Sequence, residues 1–294
     1  MAKLAVVGLG AMGSRISGRL LESGHELAVW NRDPTKAESL AKDGAHPAPT
    51  PAAAAVGAEA VITMVSDPAA LVAVTEGPDG VAAGASSTTV VQMSTVGLAA
   101  TARLASALPP DAELVDAPVL GSLTEAEGGS LTIYAGAADA VLERWTPLLS
   151  ELGTVLHVGP VGAGSAAKLV ANSVLVGVIG VLGEALALAD LAGLQRARVF
   201  DVLGTTALAQ QAERRRKAVE SANYPPRFAL SLARKDADLI LEAAAGAHLP
   251  VLEAARGWLV EAEEAGRGDR DYSSVLGEML ERAGQAGSQA NSTT

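Results

Sequence analysis

The sequence predicts an α/β fold: a doubly wound parallel sheet over residues 1–162, followed by an all-α domain over 163–294, the two joined by a long interdomain helix. Three observations predict it. Short β-branched runs alternate with helical stretches as far as about residue 160, a Gly-x-Gly-x-x-Gly turn directly follows the first run, and strand patterns stop at the glycine-rich stretch 159–164.

The first run, residues 4–7, is Leu-Ala-Val-Val and opens the sheet. Further strands are predicted at 27–30, 60–65, 88–93, 113–116, 131–135 and 155–158. Three of the intervening helices carry explicit start signals. Asp33-Pro34, Thr50-Pro51 and Asp67-Pro68 each set a capping side chain before a proline at the first helical position. Such alternation gives parallel strands joined by crossover helices. Beyond the glycine-rich stretch, helix is predicted over 165–191, 196–203, 207–222, 230–245, 252–264 and 272–286, and the polar stretch 287–294 reads as a disordered tail.

A chain of 294 residues has room for two cores. Its net charge of −11 disfavours a nucleic-acid partner, because a phosphate backbone needs a basic surface. Without cysteine there is no disulfide and no thiolate nucleophile, which fits a reducing cytoplasm. The start Met-Ala-Lys enters a strand directly and lacks a secretory cleavage site, so no export is expected. Residues 169–188 have the length of a membrane span, but Asn172, Glu184, Gly177, Gly180 and Gly183 interrupt them. A buried helix is expected instead, with apolar face to spare for packing between domains and across a homodimer or higher oligomer. His25, His46, His157 and His248 are scattered, and none has metal-ligand spacing with another.

Gly8-Leu9-Gly10-Ala11-Met12-Gly13 sits between a strand and a helix, the context in which such a turn binds a dinucleotide. Gly8 permits the tight turn, Gly10 lets a pyrophosphate approach, and Gly13 lets the helix pack on the strand. The helix N-terminus supplies N–H groups and partial positive charge. At the end of the second strand, where NAD sites place a carboxylate, the chain reads Trp30-Asn31-Arg32-Asp33-Pro34-Thr35. Asn31, Arg32 and Thr35 are the candidate contacts there, with Asp33 displaced onto a helix cap. A guanidinium suits a 2′-phosphate, so NADP is preferred and NAD remains possible.

Lys168 and Asn172 lie four residues apart, on one face of an otherwise apolar helix that follows the glycine-rich crossover. Burying an ammonium is costly, so a lysine there calls for a reason. A proton donor beside a nicotinamide supplies one.

Four blocks together resemble the β-hydroxyacid dehydrogenase family: Val7 to Gly13; Asp116-Ala117-Pro118-Val119-Leu120-Gly121-Ser122; Gly162 through Lys168 to Asn172; and Lys235-Asp236. That family includes 3-hydroxyisobutyrate dehydrogenases, tartronate semialdehyde and glyoxylate/succinic semialdehyde reductases and, more distantly, imine reductases. The resemblance implies that Lys168 is the catalytic lysine, that Asn172 contacts substrate, that Lys235 closes over the nicotinamide end, and that Met64, Val65 and Thr95 line the cofactor cleft. Many members read Ser-Gly-Gly where this chain reads Leu120-Gly121-Ser122, which leaves backbone N–H groups at Gly121 and Ser122 to hold a substrate carboxylate. The expected activity is NADPH-dependent interconversion of a small aldehyde-acid or ketone with its hydroxy acid or alcohol. The alternatives are imine reduction on the same scaffold, which retention of Lys168 disfavours, and non-catalytic NADP binding.

Overall fold

The computed structural model describes residues 1–292, with side chains through residue 285. The chain forms two compact units, Met1–Val170 and Ala171–Thr294, which divide inside one helix. In the first unit, β1 (Lys3–Val7), β2 (Glu26–Trp30), β3 (His46–Pro47), β4 (Ala60–Thr63), β5 (Thr89–Gln92) and β6 (Glu113–Asp116) are all parallel. β7 (Val119–Leu120) and β8 (Leu131–Gly136) are antiparallel to each other, and β9 (Gly153–Gly159) runs parallel to β8. The strand order is β3-β2-β1-β4-β5-β6-β8-β7, with β9 also on β8.

Alternation along β1 builds two cores. Leu4 and Val6 enter one cluster, with Ile16 and Leu20 of α1 (Ala11–Glu22) and Ala37 and Leu40 of α2 (Pro34–Ala41). Ala5 and Val7 enter the other, on the opposite face. There they meet α3 (Pro51–Ala55), α4 (Pro68–Thr75), α5 (Val81–Gly84) and α6 (Gly97–Ala107) through Ala54, Leu71, Val81 and Leu104. Two later helices, α7 (Leu123–Glu127) and α8 (Asp139–Leu152), return to the first face through Ala126, Trp145 and Leu149. Each buried aliphatic side chain is worth about 1.5–3 kcal/mol.

The three proline-led starts are capped as expected: Asp33 accepts from the Thr35 N–H, Thr50 from Ala53 and Asp67 from Ala70. Two short strands, β3 and β7, escape the sequence reading, because two residues show no alternation. Pro47 is tolerated because β3 lies at the sheet edge. The strand predicted to Val65 ends at Thr63, since the Val65 N–H leaves the ladder to donate to Ser94 Oγ at 2.8 Å.

The second unit is helical and takes up most of α9 (Ala163–Leu191). It continues through α10 (Arg196–Leu203), α11 (Ala209–Ser221), α12 (Leu230–Ala243), α13 (Pro250–Ala262) and α14 (Val275–Ser292). Val176, Ile179, Leu182 and Leu186 bury one side of α9 in the core. Two of its glycines permit close packing: a Cβ on Gly183 would lie 2.1 Å from Met279 Sδ, and one on Gly180 would lie 3.1 Å from Ala255 Cβ. The expectation of a buried helix is therefore met on one side only. Val174, Val181, Leu188 and Leu191 on the other side are 50–67% exposed. The tail expected to be disordered from Gly287 instead continues α14 to Ser292, and Thr293 and Thr294 lie outside the described residues.

Candidate active site

The glycine turn joins β1 to α1 as the motif requires. Gly8 has φ of 102°, and a Cβ there would stand 2.2 Å from the Met64 carbonyl oxygen. A Cβ on Gly13 would stand 2.0 Å from the Gly8 carbonyl oxygen, so α1 starts against the turn itself. Around Gly10, by contrast, a Cβ would meet no protein atom within 4 Å. Packing does not demand that glycine. Open space beside the N-terminal N–H groups of α1 is what an approaching pyrophosphate needs. Ala11 and Met12 form the first turn of α1.

The ends of β1, β2 and β4 are tied together around this turn. The Leu9 N–H donates to Asn31 Oδ1 at 2.9 Å, and Asn31 Nδ2 donates to the Asp33 carbonyl at 3.0 Å. Asp33 accepts from both the N–H and the hydroxyl of Thr35, which hold its carboxyl below the ordinary aspartate value. Arg32 is exposed and makes no ion pair among the described residues. Trp30, Arg32, Glu38 and Pro47 border a cavity of about 350 Å³ beyond β2. Ser94 accepts from Val65 and donates to the Thr63 carbonyl at 3.3 Å, which sets Met64, Val65 and Thr95 at neighbouring strand ends.

Lys168 occupies the second turn of α9 and is 8% exposed. What holds that turn is Asp116, a wholly buried carboxylate at the end of β6. Its Oδ2 accepts from the Gly162 and Ser165 N–H groups at 3.1 and 2.7 Å, and its Oδ1 accepts from the Ser165 hydroxyl at 2.7 Å. Burial pushes the Asp116 carboxyl above the ordinary value, against the pull of these donors. Ser165 also meets the Thr101 hydroxyl at 2.9 Å. Gly164 is obligatory, since a Cβ there would lie 2.1 Å from the Asp116 carbonyl oxygen.

In the second unit, Asn172 is 2% exposed and its Nδ2 donates to Asp236 Oδ2 at 2.7 Å. Asp236, 3% exposed, pairs through Oδ1 with Lys235 Nζ at 2.7 Å.

Residues 3–162 match the family model described as the NAD binding domain of 6-phosphogluconate dehydrogenase. Residues 162–279 match that described as the NAD-binding domain of NADP-dependent 3-hydroxyisobutyrate dehydrogenase. The chain belongs to the β-hydroxyacid dehydrogenase family. Among its relatives, glyoxylate/succinic semialdehyde reductase 1 of Arabidopsis thaliana is 31% identical over 280 residues, covering 93% of this chain and 97% of the relative. The 3-sulfolactaldehyde reductase of Escherichia coli is 32% identical over 291 residues, covering 97% and 98%. The solved structure of Mycobacterium tuberculosis 3-hydroxyisobutyrate dehydrogenase with L-serine superposes with a TM-score of 0.84 at 27% identity, covering 95% of this chain and 99% of that one.

As a member of this family the chain is an NAD(P)-dependent oxidoreductase that acts on small molecules. Its residues fit the cofactor, since the Gly8–Gly13 cradle is open where phosphates approach and Arg32 is available beyond it. In this dehydrogenase the segment 120–122 has an unexpected partner. The Ser122 N–H donates to Glu125 Oε2 at 2.8 Å, the carboxylate half of a capping box that starts α7, and the Ser122 hydroxyl donates to the same oxygen. The amide expected to be available for a substrate carboxylate is thus held by the protein's own carboxylate. The spacing Ser122-x-x-Glu125 would have revealed this box. Asp116 and Asp236 fall inside two of the resembling blocks, but nothing local shows what they or Ser94 hold, because their partners are distant in sequence.

Proposed function

We propose that this dehydrogenase is an NADPH-preferring reductase of a small aldehyde-acid or ketone, oxidising the corresponding hydroxy acid or alcohol in reverse, with Lys168 as the proton-transferring residue. The observation that carries the reading is the buried Lys168, set on a helix whose first turn Asp116 clamps to the sheet. Bound NADPH supplies the hydride. The Lys168 ammonium donates a proton to the carbonyl oxygen and steadies the charge that develops there; in oxidation its neutral form takes the hydroxyl proton. Asn172, one turn further along α9, orients the substrate, and Gly121 and Ser122 border it. Lys235 serves the nicotinamide end from its ion pair with Asp236. The exposed Arg32 supports the NADP preference, because the carboxylate beside it, Asp33, is turned onto the start of α2, where its Oδ1 accepts twice from Thr35. The enzyme works as a homodimer in the cytoplasm.

A second reading concerns substrate alone. Leu120 in place of a hydroxyl, and Glu125 on the Ser122 amide, both favour a ketone, aldehyde or imine without a carboxylate. Purified protein oxidising NADPH or NADH with glyoxylate, succinic semialdehyde, methylmalonate semialdehyde, butanal and a cyclic imine separates the two. Lys168→Ala is expected to lower kcat roughly 10²–10⁴-fold with NADPH affinity retained. Ordinary turnover by that variant would remove Lys168 from the mechanism.

A further inference from the structure

We infer that Asp236 is a positioning residue that sets the orientation of the Asn172 amide, and that it thereby makes the substrate site select a compound that donates an O–H at that point. The inference rests on the proposed contact between Asn172 and substrate.

A carboxylate only accepts hydrogen bonds. Facing Asp236 Oδ2 at 2.7 Å, the Asn172 amide must therefore turn its NH₂ toward Asp236 and its carbonyl oxygen away. That carbonyl, Oδ1, is buried and has no hydrogen-bond partner among the described residues. A buried acceptor left unsatisfied is costly, and the cost is recovered when a donor arrives. Without Asp236 the amide could rotate by half a turn and present NH₂ instead, which would suit a carboxylate or a carbonyl oxygen. The orientation thus decides which polar group the site welcomes, and here the welcome goes to a hydroxyl.

Lys235 supplies the charge partner of Asp236. With its ammonium 2.7 Å from Oδ1, and with Asp236 only 3% exposed, the carboxylate has a counter-charge and retains an acceptor for Asn172. The three groups form a chain, Lys235 to Asp236 to Asn172, that runs from a half-buried ammonium to an orphaned carbonyl.

The test compares wild type with Asp236→Asn and Asp236→Glu in the full-length protein saturated with NADP. The side-chain amide protons of Asn172, identified by their loss in Asn172→Ala, are expected at low field in wild type, as donors to an ionised acceptor. They should move to the ordinary amide region in Asp236→Asn and return part of the way in Asp236→Glu. In turnover, the ratio of kcat/KM for glyceraldehyde, which carries further hydroxyls, over propanal, which carries none, is expected to fall roughly 10-fold in Asp236→Asn, with a thermal midpoint near that of wild type. A folded Asp236→Asn with unchanged Asn172 resonances, or with an unchanged ratio, overturns the inference. If Asp236→Asn does not fold, Asp236→Glu carries the comparison, and its unchanged resonances overturn the inference equally. Because the resonances are read without turnover, they distinguish failure here from failure of the Lys168 assignment, which Lys168→Ala tests separately.

Discussion

At the end of β2, two adjacent residues bear on the proposed recognition of the cofactor's adenosine half. Asp33 turns its Oδ1 onto the N–H and hydroxyl of Thr35, so the acid nearest the place where an NAD site would use one caps a helix. Arg32 is left exposed, with its guanidinium free of any ion pair among the described residues. A charge-assisted hydrogen bond to a phosphate contributes about 1.5–3 kcal/mol, or roughly 10–100-fold in affinity. Arg32→Ala is therefore expected to raise the KM for NADPH by that factor and to leave the KM for NADH within about threefold. Equal losses with both cofactors would show that Arg32 stacks on the adenine instead. Residues of this kind are legible in sequence because their signal is local: Gly8 turns the chain through its own positive φ, Gly13 packs against Gly8 five positions earlier, and Arg32 stands exposed directly before the Asp33 cap. Lys168 and Asn172 are legible for another reason, a charge and an amide in an apolar helix. Asp116 and Asp236 stand out only as members of resembling blocks, and their roles are not legible, because a buried carboxylate takes its meaning from donors 46 to 64 residues distant along the chain.

Single elements show the same division. The helices opened by Asp33-Pro34, Thr50-Pro51 and Asp67-Pro68 start where their cap and proline require, since both signals act within one turn. β3 and β7 have no such signal and exist because a longer strand beside each supplies the ladder. On the proposed reading, helix α7 is the element with most bearing on substrate choice. Its capping box places a carboxylate on the Ser122 N–H, so a substrate carboxylate arriving there must displace Glu125 or meet a like charge. Glu125→Ala frees that amide at a cost of about 1 kcal/mol in stability, the usual worth of a cap. The ratio of kcat/KM for succinic semialdehyde over butanal is expected to rise roughly 10-fold in this variant, the value of one recovered charge-assisted hydrogen bond. A ratio that does not move would place the substrate carboxylate away from Ser122.

For the molecule as a whole, the feature left over is the outer side of α9. Val170, Val174, Val181, Leu188 and Leu191 are 50–67% exposed, and with Gly177 and Glu184 between them they repeat at alternating intervals of four and three. That is the seam spacing of two helices packed along their length. The composition of 169–188 could equally describe a membrane span, but a span offers no reason for a 4-3 seam on one side and close-packing glycines on the other. A second copy of α9 fits the seam when it runs antiparallel about Val181. In that register Val170 faces Leu191, Val174 faces Leu188, and Glu184 faces Gly177, whose missing side chain leaves it room. A parallel pair would set Glu184 against Glu184. The natural chain has no cysteine, so a single introduced thiol can bridge only to its own copy. Val181→Cys, next to the two-fold axis, is expected to cross-link into a covalent dimer under mild oxidation. Val170→Cys is expected to stay monomeric on a denaturing gel, since 21 residues of helix rise separate its partner, roughly 30 Å. Cross-linking of both would mean parallel helices, and cross-linking of neither, with a monomer mass in solution for the wild type, would return this face of α9 to solvent.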